Sequence, residues 1–162
     1  PERQSTNPSR RVERTIESLD EAVEKAYEKR ERHVRISAAD TDKATSLRML
    51  YTNDDDQMFC QICEQVMPFK KKNGDYYFEA VEFTNNVSIE KSGLYLALCP
   101  ICAAKYKEFV KNDPKALEEL ESELRKGKSQ TINLNLGDEQ ASLRFVETHW
   151  LDLSTVLSAC MV

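Results

Sequence analysis

Four of the five cysteines in this 162-residue chain fall into two pairs of identical spacing, Cys60-x-x-Cys63 in FCQIC and Cys99-x-x-Cys102 in LCPIC. Two residues between cysteines allow a tight turn whose backbone amides point at both sulfurs. Two such turns supply the four thiolates that a tetrahedral zinc takes. A disulfide reading is weaker, because a bridge inside each short turn would be strained and nothing in the sequence indicates export to an oxidising compartment. One structural Zn ion held by Cys60, Cys63, Cys99 and Cys102 is therefore expected. Four protein thiolates leave no position open for a reactive water, so the ion is expected to hold the fold and not to catalyse. The fifth cysteine, Cys160, stands alone on an apolar helical stretch and reads as a small core residue.

The elements that bring the two pairs together are legible in part. After the first pair come Val66, Phe69 and the turn KKNGD, then the aromatic strand YYFEAVEF over residues 76–83. The Asn73-Gly74 step suits a tight hairpin turn. The second pair opens a helix, PICAAKYKEFVKN, whose spacing places Ala103, Tyr106, Phe109 and Val110 on its inner face. A knuckle, a hairpin and a helix whose first turn closes the metal site describe a treble clef.

These stretches carry a resemblance. FCQICEQVMPF, YYFEAVEF and LYLALCPICAAKYKEF together resemble HNH-endonuclease domains of the kind stapled by a four-cysteine zinc, over about Met58 to Asn112. In that family the strand after the knuckle ends with a metal-binding acidic residue or histidine followed by a histidine that acts as general base. An asparagine five residues before the third cysteine orients that base, and a histidine directly after the fourth cysteine binds the catalytic metal. The matching positions here are Val81, Glu82, Leu94 and Ala103. Valine, leucine and alanine supply neither a cation ligand nor a base tuned near neutrality. The resemblance thus implies a degenerate HNH-like domain, a pseudo-nuclease that is no enzyme and has no catalytic residues. The alternative, an atypical nuclease, would use Glu82 with residues from elsewhere. Glu79 and Glu82 have odd spacing and should face opposite sides of a regular strand. For Glu82 itself, solvent exposure or pairing with a lysine is expected.

Around the module the chain is helix-rich. Residues 1–9 read as a polar linker or tail. A helical N-terminal segment over 10–52 begins with a long helix striped by Val12, Ile16, Leu19, Val23, Ala26 and Tyr27. A second helix, capped by Ser37 or Asp40, runs to about Tyr51 with Ala44, Leu47 and Leu50 inward. Asn53 to Asp56 read as a solvated loop. The zinc module spans 58–112. Over 113–162, Asp113 and Pro114 start a helix stopped by Gly127. A β-hairpin of Thr131 to Leu136 and Ala141 to Glu147 follows, and a last helix runs from about His149 to Cys160. The fold class is α+β: a treble-clef, HNH-like ββα module with flanking helices and a C-terminal hairpin plus helix.

The net charge of -5 is modest, and the module is near neutral, unlike the dense positive face of a non-specific nucleic-acid binder. Lys70, Lys71 and Lys72 at a hairpin tip, with Lys105, Lys107 and Lys111 on the zinc helix, are the candidate contacts to DNA or RNA. Tyr76, Tyr77 and Tyr95 lie near them in sequence. The basic clusters of the first helix alternate with glutamates and read as a charge-laced solvent face. The leading expectation is a non-catalytic, zinc-stabilised recognition or assembly domain, with DNA or RNA contact ranked second. Because the sequence begins at Pro1, it reads as the C-terminal part of a larger protein, so the rest of that chain or another protein is the expected partner. Homodimerisation through the first helix is a third reading. No apolar run is long enough to cross a bilayer and no secretory signal is present. An intracellular, cytoplasmic location without membrane contact is expected, with a nuclear one left open.

Overall fold

The computed structural model describes residues 7–18, 43–86, 92–127 and 129–160. The chain divides into two compact units, Pro1–Asp40 and Thr41–Val162. In the first, helix α1 covers residues 8–18. It starts two residues earlier than the apolar stripe suggests because Asn7 caps it: the Asn7 Oδ1 accepts from Arg10 N at 3.2 Å, and Pro8 fits the first helical position. Val12 and Ile16 are more than half exposed. The rest of the expected stripe, the caps Ser37 and Asp40, and His33 lie outside the described residues.

The second unit holds helix α2 (residues 43–51), strands β1 (Glu79–Glu82) and β2 (Tyr95–Leu98), and helix α3 (Pro100–Tyr106), which continues as a π turn over Lys107–Lys111. Helix α4 (Pro114–Lys126), strands β3 (Thr131–Leu136) and β4 (Glu139–Arg144) and helix α5 (Glu147–Cys160) follow. Helices and two small antiparallel sheets, β1-β2 and β3-β4, make it a mixed fold.

Local chemistry sets these boundaries. Asp113 caps α4 by accepting from Lys115 N and Ala116 N, Pro114 opens it, and Gly127 closes it in the left-handed region at φ 60°, as the sequence indicates. The 76–83 stretch forms regular strand only at Glu79–Glu82. Its partner, Tyr95–Leu98, is not expected as a strand from the sequence: all four of its residues are buried, so no alternation betrays one. The hairpin turn is also shorter than expected. Glu139 and Gln140 pair with Leu136 and Asn135, leaving Gly137 and Asp138 as the loop, a two-residue connection whose glycine sits at φ 68°.

One core serves the unit. Leu47 of α2, Leu96 and Leu98 of β2, Tyr106 of α3, Leu120 and Leu124 of α4, Ile132 and Leu136 of β3, and Leu153 and Leu157 of α5 are all buried. Phe145 anchors its aromatic centre, edge-on to Phe83, His149 and Trp150 with ring centroids 6.4, 5.1 and 5.5 Å away. Phe109 departs from expectation. It is 41% exposed, because the π turn adds a residue to the helical repeat and carries the ring outward, where it covers Gly137. The Cys160 side chain lies outside what the structure describes.

Candidate metal centre

The first cysteine pair sits on a closed knuckle. Cys60 N donates to Gln65 O at 3.0 Å and Glu64 N donates to Cys60 O at 3.1 Å, so the chain reverses within residues 60–65. The reversal requires a left-handed residue directly after Cys63. Glu64 takes that role at φ 58°, a conformation that costs a non-glycine residue about 1 kcal/mol. Arg144 Nη1 holds the Glu64 carboxylate at 2.7 Å.

The second pair is built into a helix start. Cys99 is the N-cap of α3, with its sulfur accepting from Cys102 N at 3.5 Å and Pro100 entering the first turn. Strand β2 delivers this start to the knuckle, and Cys99 N donates to Cys60 Sγ at 3.4 Å. All four Sγ atoms consequently lie within 4.8 Å of one another, with Cys63 and Cys99 3.9 Å apart. A tetrahedral ion with bonds of about 2.3 Å needs sulfurs about 3.8 Å apart. The Cys63–Cys99 pair is at that spacing, and the whole set lies within 4.8 Å.

Their electrostatics favour a cation as well. The Cys102 thiol, donating to Cys60, holds the Cys60 thiol down at about 5 against the opposing effect of burial, with help from the amides of Cys99, Cys63 and Ile62. The same hydrogen bond and burial raise Cys102, and burial pushes Cys63 up to about 11. Without a cation, one thiolate is therefore stabilised by the protons its neighbours keep. A divalent ion replaces those protons and allows all four sulfurs to ionise together. Cys60 and Cys102 are buried while Cys63 is exposed, so the cluster opens to solvent on one side only.

Gln61, inside the first pair, ties the knuckle to both sheets. Gln61 N donates to Ala97 O at 3.1 Å, its Oε1 accepts from Ala97 N at 2.7 Å, its Nε2 donates to Arg144 O at 3.0 Å, and its carbonyl accepts from Arg144 N at 3.0 Å. The knuckle thus bridges the outer edge of β2 to the outer edge of β4. Cluster and terminal hairpin form one hydrogen-bonded body.

Of the four positions matched in the sequence resemblance, three are apolar and inaccessible: Val81 is 2%, Leu94 5% and Ala103 0% exposed. Glu82 accepts from the Tyr95 hydroxyl at 3.3 Å and pairs with Lys111 at 3.4 Å. Glu79 reaches Lys107 at 4.0 Å, so despite their odd spacing both carboxylates meet lysines of the same helical segment. Among the candidate nucleic-acid contacts, Lys105 is tied to Glu139 at 2.8 Å, which raises its pKa. Lys70 lies over the Tyr76 ring, and Lys71 and Lys72 stand exposed in the turn. The four cysteines are brought together as one cluster; the lysines are spread over two elements.

Besides Gln61, two further buried polar residues have partners that the sequence does not show. His149, fully buried, lies between the Tyr51 hydroxyl, 2.6 Å from Nδ1, and the Gly93 carbonyl, 3.0 Å from Nε2. A carbonyl cannot donate, so Nε2 carries the proton and Nδ1 accepts from Tyr51; burial holds the imidazole below its ordinary pKa. Glu121, also buried, accepts from Thr84 Oγ1 and, at 2.8 Å, from Asn86 Nδ2. Its signal was present: it falls on the same helical stripe as Leu117, Leu120 and Leu124.

No family model matches this chain, and no curated protein and no solved structure matches it. Among the described residues no helix is long and apolar enough to cross a membrane.

Proposed function

We propose that Cys60, Cys63, Cys99 and Cys102 hold one zinc ion and that the second unit is a zinc-stapled, treble-clef, HNH-like domain acting in recognition or assembly. The observation that carries this reading is the sulfur geometry, four Sγ atoms within 4.8 Å of one another across 42 residues of chain, from two turns of identical spacing. Thiolates in a tetrahedral set select zinc over hard cations, which prefer oxygen. The zinc joins a knuckle to a helix start and offers no open coordination position, so its role is folding stability.

The absence of nuclease chemistry is part of the proposal. The positions at which the resembling family carries base and metal ligands here hold Val81, Leu94 and Ala103 within the core, and Glu82 is engaged by Tyr95 and Lys111. A function in binding, to another protein or to the rest of a larger chain, follows from a scaffold retained without its chemistry. Contact with DNA or RNA through Lys70, Lys71 and Lys72 ranks behind it, since Lys105, Lys107 and Lys111 are each matched by a carboxylate.

The test is metal content and cleavage together. Purified protein should carry one zinc per chain, Cys60→Ser and Cys99→Ser should each release it, and plasmid DNA with magnesium or manganese should stay intact. Cleavage abolished by Glu82→Gln would refute the non-catalytic reading.

A further inference from the structure

Among the described residues, no strand pairs with the edge of β3 opposite β4. Phe145 N donates to Gln130 O at 2.9 Å, so in the β3-β4 register the residues Gln130, Ile132, Leu134 and Leu136 turn their backbone groups toward β4. By the alternation of an antiparallel pair, Thr131, Asn133 and Asn135 turn theirs the other way. The arrangement on β4 agrees: Arg144, opposite Thr131, turns its backbone outward to Gln61. On the outward side of β3 the Thr131 N–H is occupied by Ser129 Oγ at 3.2 Å. The Asn133 and Asn135 N–H and C=O groups have no backbone partner among the described residues. The knuckle meets the hairpin on its β4 side, through Gln61 and Arg144.

That edge faces a groove of about 1080 Å³ between β3 and helix α4. Its floor is closed by the buried Val110, Leu120 and Leu134, and Glu118, Glu119 and Glu123 line it from α4 against Lys115 and Lys126. Lys126 is occupied by Glu123 at 2.6 Å; among the described residues Glu118 and Glu119 have no ion pair, nor does Lys115, which leaves two carboxylates against one lysine. Strand edges left open in this way accept further strands unless they are covered or carry charge and proline. β3, TINLNL, has neither lysine nor proline.

We propose that the β3 edge is a docking site for an extended peptide of another protein, added as a third antiparallel or parallel strand beside Asn133 and Asn135. The peptide backbone pairs with the outward groups of Asn133 and Asn135, and a lysine or arginine of the peptide meets Glu119. The charge on α4 selects a basic peptide over an acidic one. This goes beyond the zinc proposal, since it uses residues outside the cysteine cluster; failure of peptide binding leaves the metal reading standing, and loss of zinc content would be seen separately.

A fluorescein-labelled hexapeptide of alternating valine and lysine serves as probe against the full chain, read by fluorescence anisotropy and by amide hydrogen exchange. Binding is expected to slow exchange at the Asn133 and Asn135 amides. Methylating alternate backbone nitrogens of the peptide, or introducing Asn133→Pro, is expected to weaken binding at least about tenfold, the worth of one or two backbone hydrogen bonds. The proline removes an outward N–H and leaves the bonds to β4 in place. Glu119→Lys should weaken the valine–lysine peptide and favour a valine–glutamate one. The proposal is overturned if the unmodified protein neither binds the probe nor protects those two amides, or if binding survives both backbone changes. It is overturned equally if light scattering shows the protein dimerising through this edge, with Asn133→Pro restoring the monomer and the probe unable to bind.

Discussion

Gln61→Ala removes the side chain that joins the knuckle to both sheets, and its effect can be worked from the contacts. The substitution deletes two hydrogen bonds, from Ala97 N to Oε1 at 2.7 Å and from Nε2 to Arg144 O at 3.0 Å, while leaving the two made by the Gln61 backbone. Ala97 is fully buried, so its N–H loses its partner without gaining water, and a buried unsatisfied group costs about 1–3 kcal/mol. Arg144 is exposed, which lets water reach its carbonyl and keeps that second loss near the lower end of the same range. A destabilisation of about 2–4 kcal/mol follows, large against a typical domain stability of about 5–15 kcal/mol. Urea unfolding at fixed free zinc, followed by tryptophan fluorescence from Trp150, measures it. The midpoint should fall with the slope unchanged, and bound zinc should remain at the native ratio under native conditions. A loss below about 0.5 kcal/mol would show that the Gln61 side chain does not couple the cluster to the hairpin.

Two further expectations concern the buried polar and turn residues. His149 is held neutral in the fold, so the unfolded chain binds more protons than the folded one once the pH drops toward the unperturbed value near 6.5. Its contribution is complete above that value and is lost as the pH falls below it, by at most about 1.4 kcal/mol per pH unit; His149→Gln should flatten the slope of stability against pH between 7.5 and 5.5, and an unchanged slope would show that His149 does not carry it. Gly137→Ala should cost about 1–2 kcal/mol, because the residue sits at φ 68° and an added Cβ would come within 3.0 Å of the Phe109 ring. In a Phe109→Ala background only the backbone part of that loss should remain, and a double-mutant cycle by thermal denaturation would expose a purely steric or purely backbone effect.

The cysteine cluster and several element boundaries are legible in the sequence, and what is not legible has physical causes. The cysteine cluster was legible because two identical spacings satisfy a complete tetrahedral shell. Helix α4 was legible because Asp113, Pro114 and Gly127 mark both its ends. Strand β2 was not, since four buried residues in a row carry no period of two and the run ends in a cysteine motif that draws attention to the helix after it. Phe109 was placed inward on the assumption of 3.6 residues per turn, which the π turn over Lys107–Lys111 breaks. The four hydrogen bonds of Gln61 arise only when β2 and β4 arrive on either side of it, a long-range event that local sequence does not encode. His149 and Glu121 were overlooked for the related reason that a polar residue on an apolar stripe has meaning only through its partner. Those partners, Tyr51 and Gly93 in one case and Thr84 and Asn86 in the other, are distant along the chain.

The zinc staple is tested most directly by X-ray absorption at the zinc edge on protein purified without added metal. Four sulfur neighbours at about 2.3 Å and no oxygen or nitrogen in the first shell are predicted, with the signal and the folded state lost together in Cys60→Ser, since structural zinc contributes on the order of 10 kcal/mol to such folds. A first shell containing oxygen or nitrogen, or a fully folded protein with no metal bound, would contradict it.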